Sequence, residues 1–128
     1  MWLPESQAVV IVISLLDLAT QQVCQALQQF AGNSGLSATA VYGGVSYGPQ
    51  VDAVKRAEII VGTPGRILDH LEQRTLNLSK VKTLVLDEAD RMLDMGFFDD
   101  VLKIIKMCPA ERQTLLFSAT IPADIIHI

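Results

Sequence analysis

No lysine or arginine precedes Lys55, so all ten basic residues lie from that point onward. The net charge is −4 and the sequence pI is about 5.0, which excludes a basic nucleic-acid tail. It leaves open RNA binding through local contacts that oppose the net charge. In the cation-free first part, such contacts must come from backbone N–H groups, hydroxyls or amides. Cysteine is scarce as well: Cys24 and Cys108 stand far apart, with no metal-ligand spacing. They are expected to be buried thiols in a reducing compartment, with no disulfide and no metal site. Aromatic residues make up only 5% of the chain. The apolar run from Ala8 to Leu16 is too short to span a bilayer and has no basic region before it, so neither a membrane span nor a secretory signal is expected. An intracellular, cytoplasmic protein is the expectation, or a nuclear one in a eukaryote. None of the eight glycines is followed by lysine, so the chain carries no Gly-Lys-Ser/Thr phosphate loop.

What is present is enough for one domain over residues 1–128, because half of the residues are apolar. Ala8 to Ile13 reads as a central strand. Asp17 to Phe30 reads as a helix with Leu18, Val23, Ala26, Leu27 and Phe30 on one face, stopped by Gly32-Asn33-Ser34-Gly35. A strand over 38–42 precedes a Gly-rich turn from Gly43 to Pro49. A short helix over 51–57, a strand over 59–61, a helix opened by Thr63-Pro64-Gly65, and a strand over 83–86 follow. A helix over 98–107 and a strand over 113–117 complete the pattern. Strands alternating with helices imply an α/β fold with a mostly parallel sheet and right-handed crossovers.

The most informative stretch is Thr83-Leu84-Val85-Leu86-Asp87-Glu88-Ala89-Asp90. Leu84, Val85 and Leu86 read as a strand buried on both faces, which puts Asp87 at its carboxyl end, where open α/β sheets bind ligands. Carboxylates there can hold Mg²⁺ through its waters and orient a water for attack on a phosphate. Ser118-Ala119-Thr120 follows the apolar strand Leu115-Leu116-Phe117; if that strand neighbours the acidic one, the two hydroxyls can reach Asp90. Thr63 can cap a helix whose first position suits Pro64. The free N–H groups there face a phosphate, and Arg66 adds a charged fork. Gly43-Gly44 permits close backbone approach to a phosphate or a tight turn.

In this order and spacing, Gly43-Gly44, Thr63-Pro64-Gly65-Arg66, Asp87-Glu88-Ala89-Asp90 and Ser118-Ala119-Thr120 resemble the first RecA-like domain of DEAD-box ATP-dependent RNA helicases. Arg91 to Phe97 resembles the segment that commonly follows the acidic motif. The resemblance implies a three-layer, RecA-like domain that uses ATP and Mg²⁺. Asp87 would hold Mg²⁺ through water, Glu88 would position and deprotonate the attacking water, and Asp90 would communicate with Ser118 and Thr120. Gly43, Gly44, Thr63, Pro64, Gly65 and Arg66 would lie beside the RNA backbone, with Thr63 and Gly65 nearest and Arg66 in a structural or RNA-contacting role. His70 and His127 fit no ligand spacing.

Two departures from the family pattern matter. The phosphate loop and the adenine-reading segment expected before Ala8 are missing, so the chain is expected to be truncated at the N-terminus and, alone, to bind ATP weakly and hydrolyse none. Where the family reads Pro-Thr-Arg-Glu-Leu-Ala, this chain reads Ser14-Leu15-Leu16-Asp17-Leu18-Ala19. Leu16 cannot pair with phosphate, so that RNA contact should be weak or lost. The second RecA-like domain is also expected to be missing. The parent activity implied is ATP-dependent remodelling of RNA duplexes or RNA–protein complexes. The alternative is a non-catalytic module that binds RNA or helicase partners. A metal-dependent nuclease or phosphatase built on the three carboxylates is a weaker rival.

Overall fold

The computed structural model describes residues 7–43 and 47–126. Val10–Ile13 (β1), Ala38–Val41 (β2), Ile59–Gly62 (β3), Thr83–Asp87 (β4) and Gln113–Phe117 (β5) form one sheet in the order β2-β3-β1-β4-β5. Every pairing is parallel. β1 lies at the centre, with Val10 in register with Ile59 on one side and Thr83 on the other. That position accounts for its unbroken Val-Ile-Val-Ile run, since a strand in the middle of a parallel sheet is covered on both faces.

The helices distribute themselves by handedness. The chain goes from β1 out to the β2 edge through Asp17–Ala31 (α1). It then reverses and crosses the sheet through Tyr47–Arg56 (α2), Pro64–Glu72 (α3), Ala89–Asp94 (α4) and Phe98–Lys106 (α5). A right-handed crossover changes face when the direction of travel reverses, which isolates α1 on its own side. On the other side Val54, Ile67, Leu71, Met92, Val101 and Ile104 pack with Ile11, Ile13, Ile60, Leu84 and Leu86 in the main core. Ile125, in the short helix Ala123–Ile126 (α6), joins that cluster. On the α1 side, Cys24, Val23 and Leu27 cover only Val12, Ala38, Ile59, Val61 and their neighbours.

Several sequence expectations need correction. The buried stripe of α1 is Thr20, Cys24 and Ala31, with Val23 and Leu27 half-buried, whereas Leu18 is 65% and Phe30 88% exposed. Spacings of three and four residues place 20, 24, 27 and 31 on one face. Thr20 is tolerated there because its hydroxyl donates to the Leu16 carbonyl at 2.9 Å. Val85 is half-buried, so β4 is fully covered on the Leu84 and Leu86 face only. β1 starts at Val10 rather than Ala8, and α2 starts at Tyr47 rather than 51. Pro49 sits in the first turn of α2, where a missing N–H costs nothing. Neither α4 nor α6 was expected: α4 begins inside the acidic motif, and six residues carry too little periodicity to announce a helix. Cys24 and Cys108 are buried free thiols in separate clusters.

Candidate functional site

A parallel sheet brings the carboxyl ends of all five strands to one edge, and every motif singled out lies there. They fall into two stations separated by the centre of the sheet. At about 4.8 Å per strand, β2 and β5 are roughly 19 Å apart.

The first station is built on β4 and β5. Asp87 ends β4 opposite Phe117. The next residue, Glu88, takes the left-handed conformation with φ 58° and ψ 46°. For a residue with a Cβ this costs about 1–2 kcal/mol, and it turns the chain from strand into α4 within one residue. The Glu88 carboxylate accepts a 2.8 Å hydrogen bond from the Arg91 guanidinium. Asp90 reaches across to the loop after β5. Its Oδ2 accepts from both the backbone N–H and the hydroxyl of Thr120, each at 3.1 Å. Its own N–H donates to Ser118 Oγ at 3.1 Å, and Ser118 Oγ in turn donates to the Thr120 carbonyl. The acidic turn and the Ser-Ala-Thr turn are therefore stitched together.

These environments separate the two aspartates. Partial desolvation works to raise the Asp90 pKa, but hydrogen bonds from Ser118, Thr120 and the Arg91 backbone outweigh it and hold it below the ordinary aspartate value. Burial and the adjacent Glu88 charge push Asp87 up, against one backbone N–H that favours its charged form. Asp87 lines two clefts. One, of about 250 Å³, is shared with Glu88, Asp90, Arg91, Ser118 and Ala119. The other, of about 330 Å³, is apolar, with Val12, Val23, Leu27, Val85 and Phe117 as walls. Among the described residues no three His, Cys, Asp or Glu side chains converge on a metal position. Asp87 and Glu88 do suit Mg²⁺, which keeps most of its waters and needs one or two protein carboxylates. No glycine of this chain is followed by lysine, so the Gly-Lys-Ser/Thr phosphate-loop pattern does not occur in it.

The second station is built on β2, β3 and the start of α3. Thr63 is the N-cap residue of α3 and Pro64 occupies its first turn, as expected, but the Thr63 hydroxyl makes no capping hydrogen bond. The Thr63 N–H is bonded to the Val41 carbonyl at 3.1 Å. Gly65 is exposed, and a Cβ placed on it would meet nothing within 4 Å, so the helix N-terminus is open to an incoming group. Gly43 is exposed beside it, while Gly44 lies outside the described residues, as does His127. Arg66 points inward: its side chain is 13% exposed. It donates to the Gln50 amide oxygen at 3.2 Å and to the Gly43 carbonyl at 3.3 Å. This corrects the expectation of a charged fork presented at the helix start.

The matching family model is that of the DEAD/DEAH box helicases, and it covers residues 3–128. The chain belongs to the DEAD/DEAH box helicase family. It is 50% identical over 107 residues to a Methanocaldococcus jannaschii protein named as a probable ATP-dependent RNA helicase, covering 84% of this chain and 29% of that one. It is 48% identical over 126 residues to the DEAD-box ATP-dependent RNA helicase CshA of Bacillus subtilis, covering 98% and 25% respectively. A crystal structure of a DEAD box protein from Methanococcus jannaschii superposes with a TM-score of 0.88 at 45% identity, over 94% of this chain and 33% of that one. A Sulfolobus tokodaii structure titled as a hypothetical ATP-dependent RNA helicase gives the same TM-score at 35% identity, over 94% and 37%. The fold is therefore the RecA-like helicase domain, and the chain spans roughly a quarter of the length of these curated relatives.

Sequence reasoning about this helicase domain missed four residues. Gly62 ends β3, and a Cβ there would lie 2.5 Å from Val41 Cγ2 and 2.7 Å from Ile67 Cγ1. A glycine inside a strand pattern signals such close approach. Gln50 and His70, both buried, tie the second station together, and Arg91 holds Glu88. No local pattern marks these three, because their partners are distant in sequence or belong to a turn whose conformation was unknown. Of the divergent pair after β1, Leu15 is buried and Leu16 is 45% exposed.

Proposed function

We propose that the chain forms part of an ATP-dependent RNA helicase and divides its work between the two stations. The observation that carries this reading is the Asp90–Thr120 contact. It joins the carboxylate turn to the Ser-Ala-Thr turn and gives phosphate chemistry a mechanical output. In this reading Asp87 holds Mg²⁺ through water; the ion, when bound, offsets phosphate charge. Glu88 would position a water and take its proton, through the carboxylate oxygen that Arg91 does not hold. Asp90, Ser118 and Thr120 pass the state of β4 to β5. The raised pKa of Asp87 falls when a cation approaches, so its carboxylate is poised to favour one.

At the other station Gly43, Thr63 and Gly65 face an RNA backbone, with Gly44 assigned beside them from the sequence motif alone, while Pro64 is buried and starts the helix. Exposed N–H groups at the start of α3 suit phosphate oxygens, and such contacts follow strand shape with little regard to base identity. Arg66 supports them from within. Leu16, where the family carries a cation, adds no charge, so binding is weak.

A second reading applies to the 128-residue chain on its own: a module that binds RNA without catalysis. The absence of a Gly-Lys phosphate loop and the Glu88–Arg91 pairing favour it. The test is to measure Mg²⁺-dependent ATP hydrolysis and oligouridylate binding by the purified chain, with and without ATP. RNA binding indifferent to ATP, with no phosphate release, is expected. Measurable hydrolysis overturns the non-catalytic reading, and RNA cleavage without nucleotide overturns the helicase reading altogether.

A further inference from the structure

Behind the second station lies a buried polar cluster that the motifs do not include. Gln50, on α2, is 7% exposed and His70, on α3, is 0% exposed. The Gln50 amide oxygen lies 3.2 Å from His70 Nε2 and accepts from Arg66 at 3.2 Å, while its amide nitrogen donates to the Tyr42 carbonyl at 3.2 Å. His70 Nδ1 lies 2.7 Å from the Thr75 hydroxyl. Arg66 also donates to the Gly43 carbonyl at 3.3 Å.

The bonding pattern has one neutral solution. Gln50 cannot be flipped, because its amide nitrogen would then face the Arg66 donor and its oxygen the Tyr42 carbonyl. His70 Nε2 must therefore carry the proton and donate to Gln50, leaving Nδ1 as an acceptor beside the Thr75 hydroxyl, whose proton is shared between Nδ1 and the His70 carbonyl at 3.1 Å. Burial first, and the Arg66 charge second, hold the His70 pKa down to about 4, so the imidazole is neutral near pH 7. Every hydrogen-bonding atom of the Gln50 side chain is engaged. Buried networks completed in this way hold a single geometry.

We infer that Gln50 is a positioning residue for RNA: its amide bridges α3 to the Tyr42–Gly43 turn and sets that turn against the open N-terminus of α3. The inference rests on the RNA reading of this station. It assigns a function to a side chain that, together with Arg66, joins α2, α3 and the end of β2, and it gives the inward-pointing Arg66 its acceptor. Arg66 and Gln50 grip consecutive carbonyls, those of Gly43 and Tyr42, at 3.3 Å and 3.2 Å. With these carbonyls held by the protein, the start of the turn is fixed relative to α3.

Three variants of the full 128-residue chain separate the possibilities, read by oligouridylate affinity, thermal melting and amide exchange over residues 42–43. Gln50→Glu keeps acceptors for Arg66 and His70 but cannot donate to the Tyr42 carbonyl. It should melt close to the parent while exchange at the turn rises and RNA affinity falls roughly five- to tenfold. Gln50→Met, which removes every bond, should lose both stability and affinity. Gly65→Glu, at the open helix start, tests the underlying RNA reading and should abolish binding through charge repulsion. If Gly65→Glu weakens binding and Gln50→Glu does not, the positioning role is overturned and the RNA reading survives. If Gly65→Glu binds like the parent, the RNA reading itself fails. If Gln50→Glu melts as low as Gln50→Met, Gln50 is structural only and the inference fails.

Discussion

The two ends of the sheet are finished differently. At the β2–β3 end, Val41, Val54, Ile60 and Ile67 are fully buried, a glycine is required at position 62 for the backbones to meet, and polar side chains inside the packing are bonded to one another. At the β4–β5 end, Leu115 is 38% and Phe117 56% exposed, and Asp87 borders an apolar cleft. Both ends belong to the same parallel sheet. They differ because α1 covers the β2–β3–β1 half of its face, while no described helix lies on that face over β4 and β5. A closed region can support a rigid binding surface from within. An open one has its chemistry in place but depends on further contacts to enclose it.

The contrast sets the scale of expected effects. The largest should come from Gly62→Val, which drives methyl groups into Val41 and Ile67. Overpacking at this buried meeting point, against backbone as well as side chains, should cost about 3 kcal/mol, the upper end of the usual range, seen as a large drop in the denaturation midpoint or as insoluble expression. A near-parental midpoint would mean that the β2–β3 end is looser than its packing indicates.

Next is the pH dependence carried by His70. Its folded pKa, about 4, lies below the ordinary 6.5, so between these values the unfolded chain binds the extra proton. The contribution is therefore fully present above about pH 6.5 and is lost as pH falls toward 4, amounting to at most about 3 kcal/mol. His70→Gln, which preserves a donor toward Gln50, should flatten that slope in urea titrations run across this range. A parental slope in the variant would assign the effect to other groups.

At the open end the same kind of change should do little. Phe117→Thr removes a ring that is mostly in water and should shift stability by no more than about 0.5 kcal/mol. It should also raise solubility by shrinking an exposed apolar patch on an edge strand. A loss comparable to that of Gly62→Val would show that the edge is covered in solution, which light scattering would reveal as association.

The smallest global effect is expected from Asp90→Ala. Its carboxylate is half-buried in a surface turn, so melting should move little, yet the Thr120 amide should exchange several-fold faster once its acceptor is gone. Unchanged exchange at Thr120 would remove the structural basis for coupling β4 to β5.

Much of this was legible along the chain. The alternation of strands and helices, the parallel sheet, the placement of Asp87 at a strand end and the proximity of Asp90 to Thr120 follow from apolar runs ending in polar turns. Those signals are local, with period and punctuation within about ten residues. The acidic and Ser-Ala-Thr turns could be paired from the sequence only on the condition that their strands are neighbours, which the β4–β5 pairing meets. The face of α1 was misread because Leu18 and Phe30 are apolar yet point to water, while Thr20 is polar yet buried. Hydrophobicity alone could not rank them without knowing which stripe meets the sheet. Arg66 was left with a structural or an RNA-contacting role for a related reason: a cation at a helix start has two directions open to it, and Gln50 and the Gly43 carbonyl, distant in sequence, turn it inward.

By itself, then, the sequence determined the class of fold, the order of its elements and the residue types at each strand end, because these depend on local preference and on the handedness of L-amino acids. Only the tertiary structure decided that no described helix covers one face of β4 and β5, that Glu88 takes a left-handed turn against Arg91, and that a neutral histidine and a glutamine stand behind the glycine turn. Each of these depends on groups far apart in the chain meeting where water is excluded, and there the free energy of a polar atom is set by its partner rather than by its neighbours in sequence.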